Sequence, residues 1–137
     1  MNILYQSTRG GENGVTASQA ILKGIASDGG LFMPTQIPKL EQPMAWMAGK
    51  SYCETAYEVM KLFLTDYTEE ELKECIRCAY DDKFDTEEIA PLAKAGGAYY
   101  LELFHGNTIA FKDMALSILP YLMTTAAKKN HVDKEIV

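Results

Sequence analysis

The sequence predicts a mostly helical α/β chain with one or two short strands, and three observations predict it. Capping-box pairs, a serine or threonine followed three residues later by glutamate or glutamine, occur at Thr16/Gln19, Ser51/Glu54 and Thr68/Glu71. Behind each pair runs an apolar stripe at helical spacing. Near the end of the chain an aromatic-rich segment, a polar turn and another helical stripe follow one another, the order of strand, loop and helix. With 137 residues, 47% hydrophobic and 23% charged, the chain is long enough to bury a core and too apolar to be disordered.

Taken in order, residues 2–7 read as a short extended segment and Arg9-Gly10-Gly11-Glu12-Asn13-Gly14 as a flexible or ligand-facing turn. Ala17, Ala20, Ile21, Gly24 and Ile25 share one helical face, and Asp28-Gly29-Gly30 ends that helix. Residues 31–33 are cut off by Pro34; Pro34, Pro38 and Pro43 then mark a loop to a helical patch at 44–48, stopped by Gly49. Two helices follow, with stripes at Ala56, Val59, Met60, Phe63 and Leu64, then at Leu72, Cys75, Ile76, Ala79 and Tyr80. The run Glu69-Glu70-Glu71 suits the positive end of the second helix better than it suits a cation.

After Ala95-Gly96-Gly97, residues 98–104 read as a half-buried strand that ends at His105-Gly106-Asn107-Thr108. From about Ala110 the spacing of Phe111, Ala115, Ile118, Leu119, Leu122, Met123 and Ala126 predicts a buried helical face running to Lys128, Lys129 and Asn130. Pro120 falls inside it. A proline there removes a donor and clashes with the preceding turn at a cost of about 3 kcal/mol, so a kink or break is expected between Leu116 and Pro120. Glu135-Ile136-Val137 has the composition of another strand.

The balance of 13 basic against 19 acidic residues leaves a net charge of −6, without the basic footprint that a nucleic-acid partner requires. No apolar run approaches a membrane span, and the polar residues after Leu4 do not form a signal peptide, so a cytoplasmic protein is expected. Three cysteines do not make a disulfide framework. Cys75 and Cys78 are spaced as C-x-x-C, but a zinc site needs four ligands, and a shared helix points the two Cβ atoms poorly for a disulfide. Free thiols and no bound metal are expected.

Lys112, between Phe111 and Asp113, stands where a helix starts, and a helix N-terminus disfavours positive charge. One reading is an exposed lysine paired with Asp113 or Glu102. The other is an amine pressed against Phe104 and Phe111, partly desolvated, with its pKa lowered from about 10.4 and available as a nucleophile. A hydrolase built from Ser117, His105 and Asp113 lacks the G-x-S-x-G elbow. A helical interaction domain without catalysis is the remaining alternative.

The stretch Leu101-Glu102-Leu103-Phe104-His105-Gly106-Asn107-Thr108-Ile109-Ala110-Phe111-Lys112-Asp113-Met114-Ala115 resembles the pyridoxal-phosphate attachment segment of the threonine synthase family. Tyr5-Gln6-Ser7-Thr8-Arg9-Gly10, with Gly24-Ile25-Ala26-Ser27-Asp28-Gly29-Gly30-Leu31-Phe32-Met33-Pro34, is similar to that family's opening signature. Asn107 departs from the proline often found there. The resemblance implies a fold type II pyridoxal-phosphate enzyme, longer than this chain, that turns O-phospho-L-homoserine and water into L-threonine and phosphate. Residues 1–98 would form its mainly helical N-terminal region and 99–137 the start of the cofactor domain. It implies that Lys112 carries the cofactor as a Schiff base and moves protons. Phe111 and Thr108 would help to bind the cofactor, Thr108 otherwise capping the helix, while Asp113 orients the turn and His105 is structural. The phosphate loop is expected in the remainder of the polypeptide, since Gly10, Gly11 and Gly14 form no phosphate-binding fingerprint. Another fold type II lyase or a threonine-synthase-like protein is the nearest alternative.

Overall fold

The computed structural model describes residues 2–133; the strand expected at 135–137 lies outside the described residues. Strand β1 (Tyr5–Ser7) pairs antiparallel with β2 (Phe32–Pro34), Tyr5 opposite Pro34 and Ser7 opposite Phe32. The turn between them is built around one carboxylate. Asp28 accepts hydrogen bonds from Ser7 Oγ at 2.7 Å, Gly11 N at 2.8 Å and Gly30 N at 2.9 Å. The Ser7 hydroxyl first, then the Gly30 amide, hold its carboxyl below the usual range. A Cβ on Gly30 would sit 2.1 Å from Ser7 Oγ, and one on Gly11 would sit 2.6 Å from Asp28 Oδ2. Of the glycines in the turn expected to be flexible or ligand-facing, Gly11 serves close packing, whereas Gly10 and Gly14 take positive φ with open space around them.

All three capping boxes form, at the starts of α1 (Ala17–Lys23), α3 (Tyr52–Phe63) and α4 (Glu69–Ala79), and the patch before Gly49 is α2 (Met44–Met47). Helix α1 stops earlier than expected. Gly24 takes φ 71° and caps it, which leaves Ile25 outside the helix and 60% exposed. Helix α4 buries Leu72, Cys75, Ile76, Ala79 and Tyr80, the whole predicted stripe. Helix α3 lies at the edge of the core, packing Ala56, Met60 and Leu64 inward while Val59 faces out.

Two-residue turns with positive φ at both positions suit the twist of a hairpin, and Gly96-Gly97 makes one, with φ 56° and 80°. It joins β3 (Leu92–Ala95) to β4 (Ala98–Leu101), so the described chain has four short strands rather than one or two. All four residues of β4 are exposed, because among the described residues its one strand partner is β3 and no residue packs behind it. The strand also ends at Leu101, short of the expected 104.

The break before Pro120 is present: α5 (Asp113–Leu116) ends, and α6 (Leu119–Lys129) begins with the proline in its first turn, where a missing donor is harmless. The helical pattern expected from Ala110 thus starts at Asp113. Leu122 and Ala126, with Ile118 just before the helix, join Leu72, Ile76, Ala79 and Ala17 in one core. Polar ties surround this seam. Tyr67 Oη donates to Leu122 O at 3.0 Å, Lys129 pairs with Glu71 at 2.9 Å, and Asn130 donates to Ser18 Oγ at 2.9 Å.

Cys53, Cys75 and Cys78 are free thiols. Cys75 lies beside Thr125 Oγ1 and burial pushes its thiol up, while Cys78 points to Glu74. Among the described residues no helix is long and apolar enough to cross a membrane.

Leu72→Ala, at the most enclosed large side chain, should cost about 2–5 kcal/mol in urea unfolding. Val59→Ala, from the same kind of stripe but facing outward, should fall within about 0.5 kcal/mol.

Candidate active site

Between β4 and α5 the chain makes two successive tight turns. Ile109 N donates to Gly106 O and Asp113 N donates to Ala110 O, both at 3.0 Å. Ile109 closes the first with φ 64°, a conformation that β-branched residues rarely adopt. The second delivers Lys112 to the cap position of α5, with helical φ and ψ.

Asp113 holds this arrangement. It is one of the few buried charged residues, and it accepts from Thr108 N at 2.8 Å and from Thr108 Oγ1 at 2.6 Å. Gly106 lies so close that a Cβ there would stand 2.5 Å from Asp113 Cβ. From the other side, Tyr80 Oη donates to Met114 O at 2.8 Å and ties α5 to the end of α4. The expected orienting role of Asp113 is therefore met by direct contacts to the turn before the lysine.

His105 is fixed as well. Its Nδ1 lies 2.5 Å from Asp85 Oδ1 and its Nε2 3.0 Å from Glu102 Oε2, while its backbone carbonyl accepts from Asp85 N at 3.0 Å. The ring stacks on Phe104 with centroids 4.6 Å apart. Hydrogen bonds to Glu102 first, and to Asp85 next, raise its pKa from the ordinary value. Sequence reasoning missed Asp85, which is 20 residues from His105 and carries no local signal.

These contacts meet neither reading of Lys112 in full. The carboxylates that could neutralise it are committed elsewhere, Asp113 to Thr108 and Glu102 to His105. Among the described residues Lys112 has neither an ion-pair nor a hydrogen-bond partner, and its side chain is exposed. The expected packing between two rings is not found, since Phe104 turns to His105 and Phe111 is 66% exposed. Enclosing walls would have to come from beyond these residues. Ser117, His105 and Asp113 do not assemble into a triad, because His105 and Asp113 hold other partners. In the segment that carries Lys112, Phe104, Ile109, Phe111, Leu116 and Leu119 are each at least 39% exposed, as are Tyr99, Tyr100 and Leu101 on the hairpin. So much apolar exposure marks a surface built to be covered.

Helices of this order, carrying a lysine on a buttressed turn after a hairpin, place the chain in a class of known folds. The PLP-bound threonine synthase from Brucella melitensis superposes with a TM-score of 0.85 at 34% identity, over 94% of this chain and 28% of that one. Threonine synthase from yeast gives 0.82 at 30% identity, over 96% and 28%. The family model described as threonine synthase N terminus matches residues 4–80, and threonine synthase of Schizosaccharomyces pombe is 43% identical over 123 residues, 85% of this chain and 23% of that protein. The chain belongs to the threonine synthase family. It spans about a quarter of the length of these relatives.

Gly106→Ala should push Asp113 off Thr108 and cost about 1–3 kcal/mol, the range for overpacking a filled site. Thermal unfolding checks this against Asn107→Ala, one residue along and exposed, which should change little.

Proposed function

We propose that this chain is the N-terminal part of a threonine synthase, converting O-phospho-L-homoserine and water to L-threonine and phosphate in the cytoplasm, with Lys112 as the attachment residue for pyridoxal phosphate. The observation that carries the reading is the lysine itself: buttressed backbone, exposed side chain, and both neighbouring carboxylates already satisfied. Membership of the family supports the reading, as does the cofactor named for the Brucella relative.

The residues present fit part of the cofactor. Pyridoxal phosphate, when bound, supplies the electron sink for charge that develops at the substrate's α-carbon. Lys112 Nζ would hold it covalently and, once displaced by the substrate amine, move protons at the α- and β-carbons. Phe111 offers an exposed apolar ring beside the amine. Thr108 Oγ1 donates to Asp113 and keeps lone pairs free to accept from a donor, so its capping role and a cofactor contact are compatible. A phosphate cradle is not among these residues, because the amides of Gly11 and Gly30 are spent on Asp28. In this reading residues 1–98 form the helical N-terminal region and 99–137 open the cofactor domain. The remainder of the polypeptide covers the apolar surface around Lys112 and brings the phosphate site.

Borohydride reduction of the full-length protein with pyridoxal phosphate should leave one adduct, on Lys112, and Lys112→Ala should remove both the adduct and threonine formation. Labelling elsewhere, or activity that survives Lys112→Ala, would overturn the reading. The 137-residue chain alone should show no activity and label Lys112 no more selectively than Lys128 or Lys129, since a bound cofactor needs the lysine, a phosphate cradle and a partner for its ring nitrogen, and only the first is among the described residues.

A further inference from the structure

Two carboxylates, from parts of the chain 17 residues apart, converge on the ring of His105. Asp85 belongs to the connection after α4, and Glu102 to the stretch just after β4. Both facing groups are acceptors. A neutral imidazole has one N–H and one lone pair, so it can satisfy only one of them and turns its lone pair against the other. The observed geometry therefore needs the doubly protonated ring. The ring is largely enclosed, at 14% side-chain exposure, whereas Asp85 is 74% exposed, so the contact can open toward solvent from the Asp85 side.

The residue after His105 is Gly106, against which Asp113 is packed without room for a methyl group, and Asp113 in turn sets Thr108 and the turn before Lys112. The backbone of His105 is joined to the same loop as its ring, through Asp85 N. Whatever fixes His105 thus fixes one wall of the Asp113 pocket. We propose that His105, clamped between Asp85 and Glu102, is the positioning residue for the lysine-bearing turn, and that loss of its ring proton loosens that turn. The consequence for catalysis rests on the reading of Lys112 as the attachment lysine; the clamp does not.

The sign follows from the charge state. The folded state holds the proton more tightly than the unfolded chain, so the clamp contributes in full below the ordinary histidine value of about 6.5 and is lost as pH rises through the raised folded value. A merely structural histidine would not tie the order of a turn several residues away to its own titration.

The test uses NMR on the 137-residue chain without cofactor, following both ring nitrogens of His105 and the hydrogen-exchange protection of the Thr108 amide, corrected for intrinsic rate. We expect both nitrogens protonated below the midpoint, a midpoint above about 6.5, and a loss of Thr108 protection of about tenfold with that same midpoint. Protection at Ile76, in the core, should stay flat. His105→Gln should leave Thr108 poorly protected at every pH, and Glu102→Gln should lower the midpoint without unfolding the chain. A midpoint at or below 6.5, or Thr108 protection that ignores the titration, would overturn the clamp. Because no cofactor is used, a missing adduct at Lys112 would count against the attachment reading alone.

Discussion

A buried carboxylate next to an exposed amine organises this end of the molecule. Asp113 could have neutralised Lys112, its neighbour in sequence, and instead turns inward to take two hydrogen bonds from Thr108. Burying a charge without partners is expensive, and these donors, a backbone amide and a hydroxyl, offset that cost. The tight turns, the positive φ at Ile109 and the requirement for glycine at 106 all follow from bringing Thr108 within reach of Asp113. The lysine is left with a fixed backbone and, among the described residues, an unpaired side chain.

That turn is held because the helices on either side share a core. Ile118, Leu122 and Ala126 pack with Leu72, Ile76 and Ala79, so the end of the described chain is anchored on its middle. Tyrosine hydroxyls finish the attachment: Tyr67 and Tyr80 bury their rings and donate to backbone carbonyls of Leu122 and Met114. Burial raises the pKa of both phenols. Neutral donors across the whole physiological range are what a structural hydrogen bond needs. The lysine segment is thus docked on the helical region.

Much of this could be read without coordinates. Capping boxes are contacts between residues three apart, so Thr16, Ser51 and Thr68 mark true helix starts. Pro120 lacks a donor wherever it is placed, and the chain breaks ahead of it. The stripe of α4 is buried in full because that helix is central. The hairpin is not among the predicted elements: Gly96-Gly97 punctuates it, but the segment before the turn, Leu92-Ala93-Lys94-Ala95, has little strand character of its own.

What the sequence determined by itself is local: helix starts, the break before Pro120, the glycine turns, and the motif that carries Lys112. Only the tertiary structure decided which apolar residues are inside. Val59 has the right period and faces solvent, because period describes one helix while burial requires a neighbour on that side; Phe111 faces solvent from the turn ahead of α5. It alone brought Asp85 to His105 and turned Asp113 from Lys112 to Thr108. The first depends on where a backbone 20 residues away comes to rest, which nothing near His105 encodes; the second, between residues five apart, depends on the turns and the Gly106 packing that bring Thr108 to Asp113.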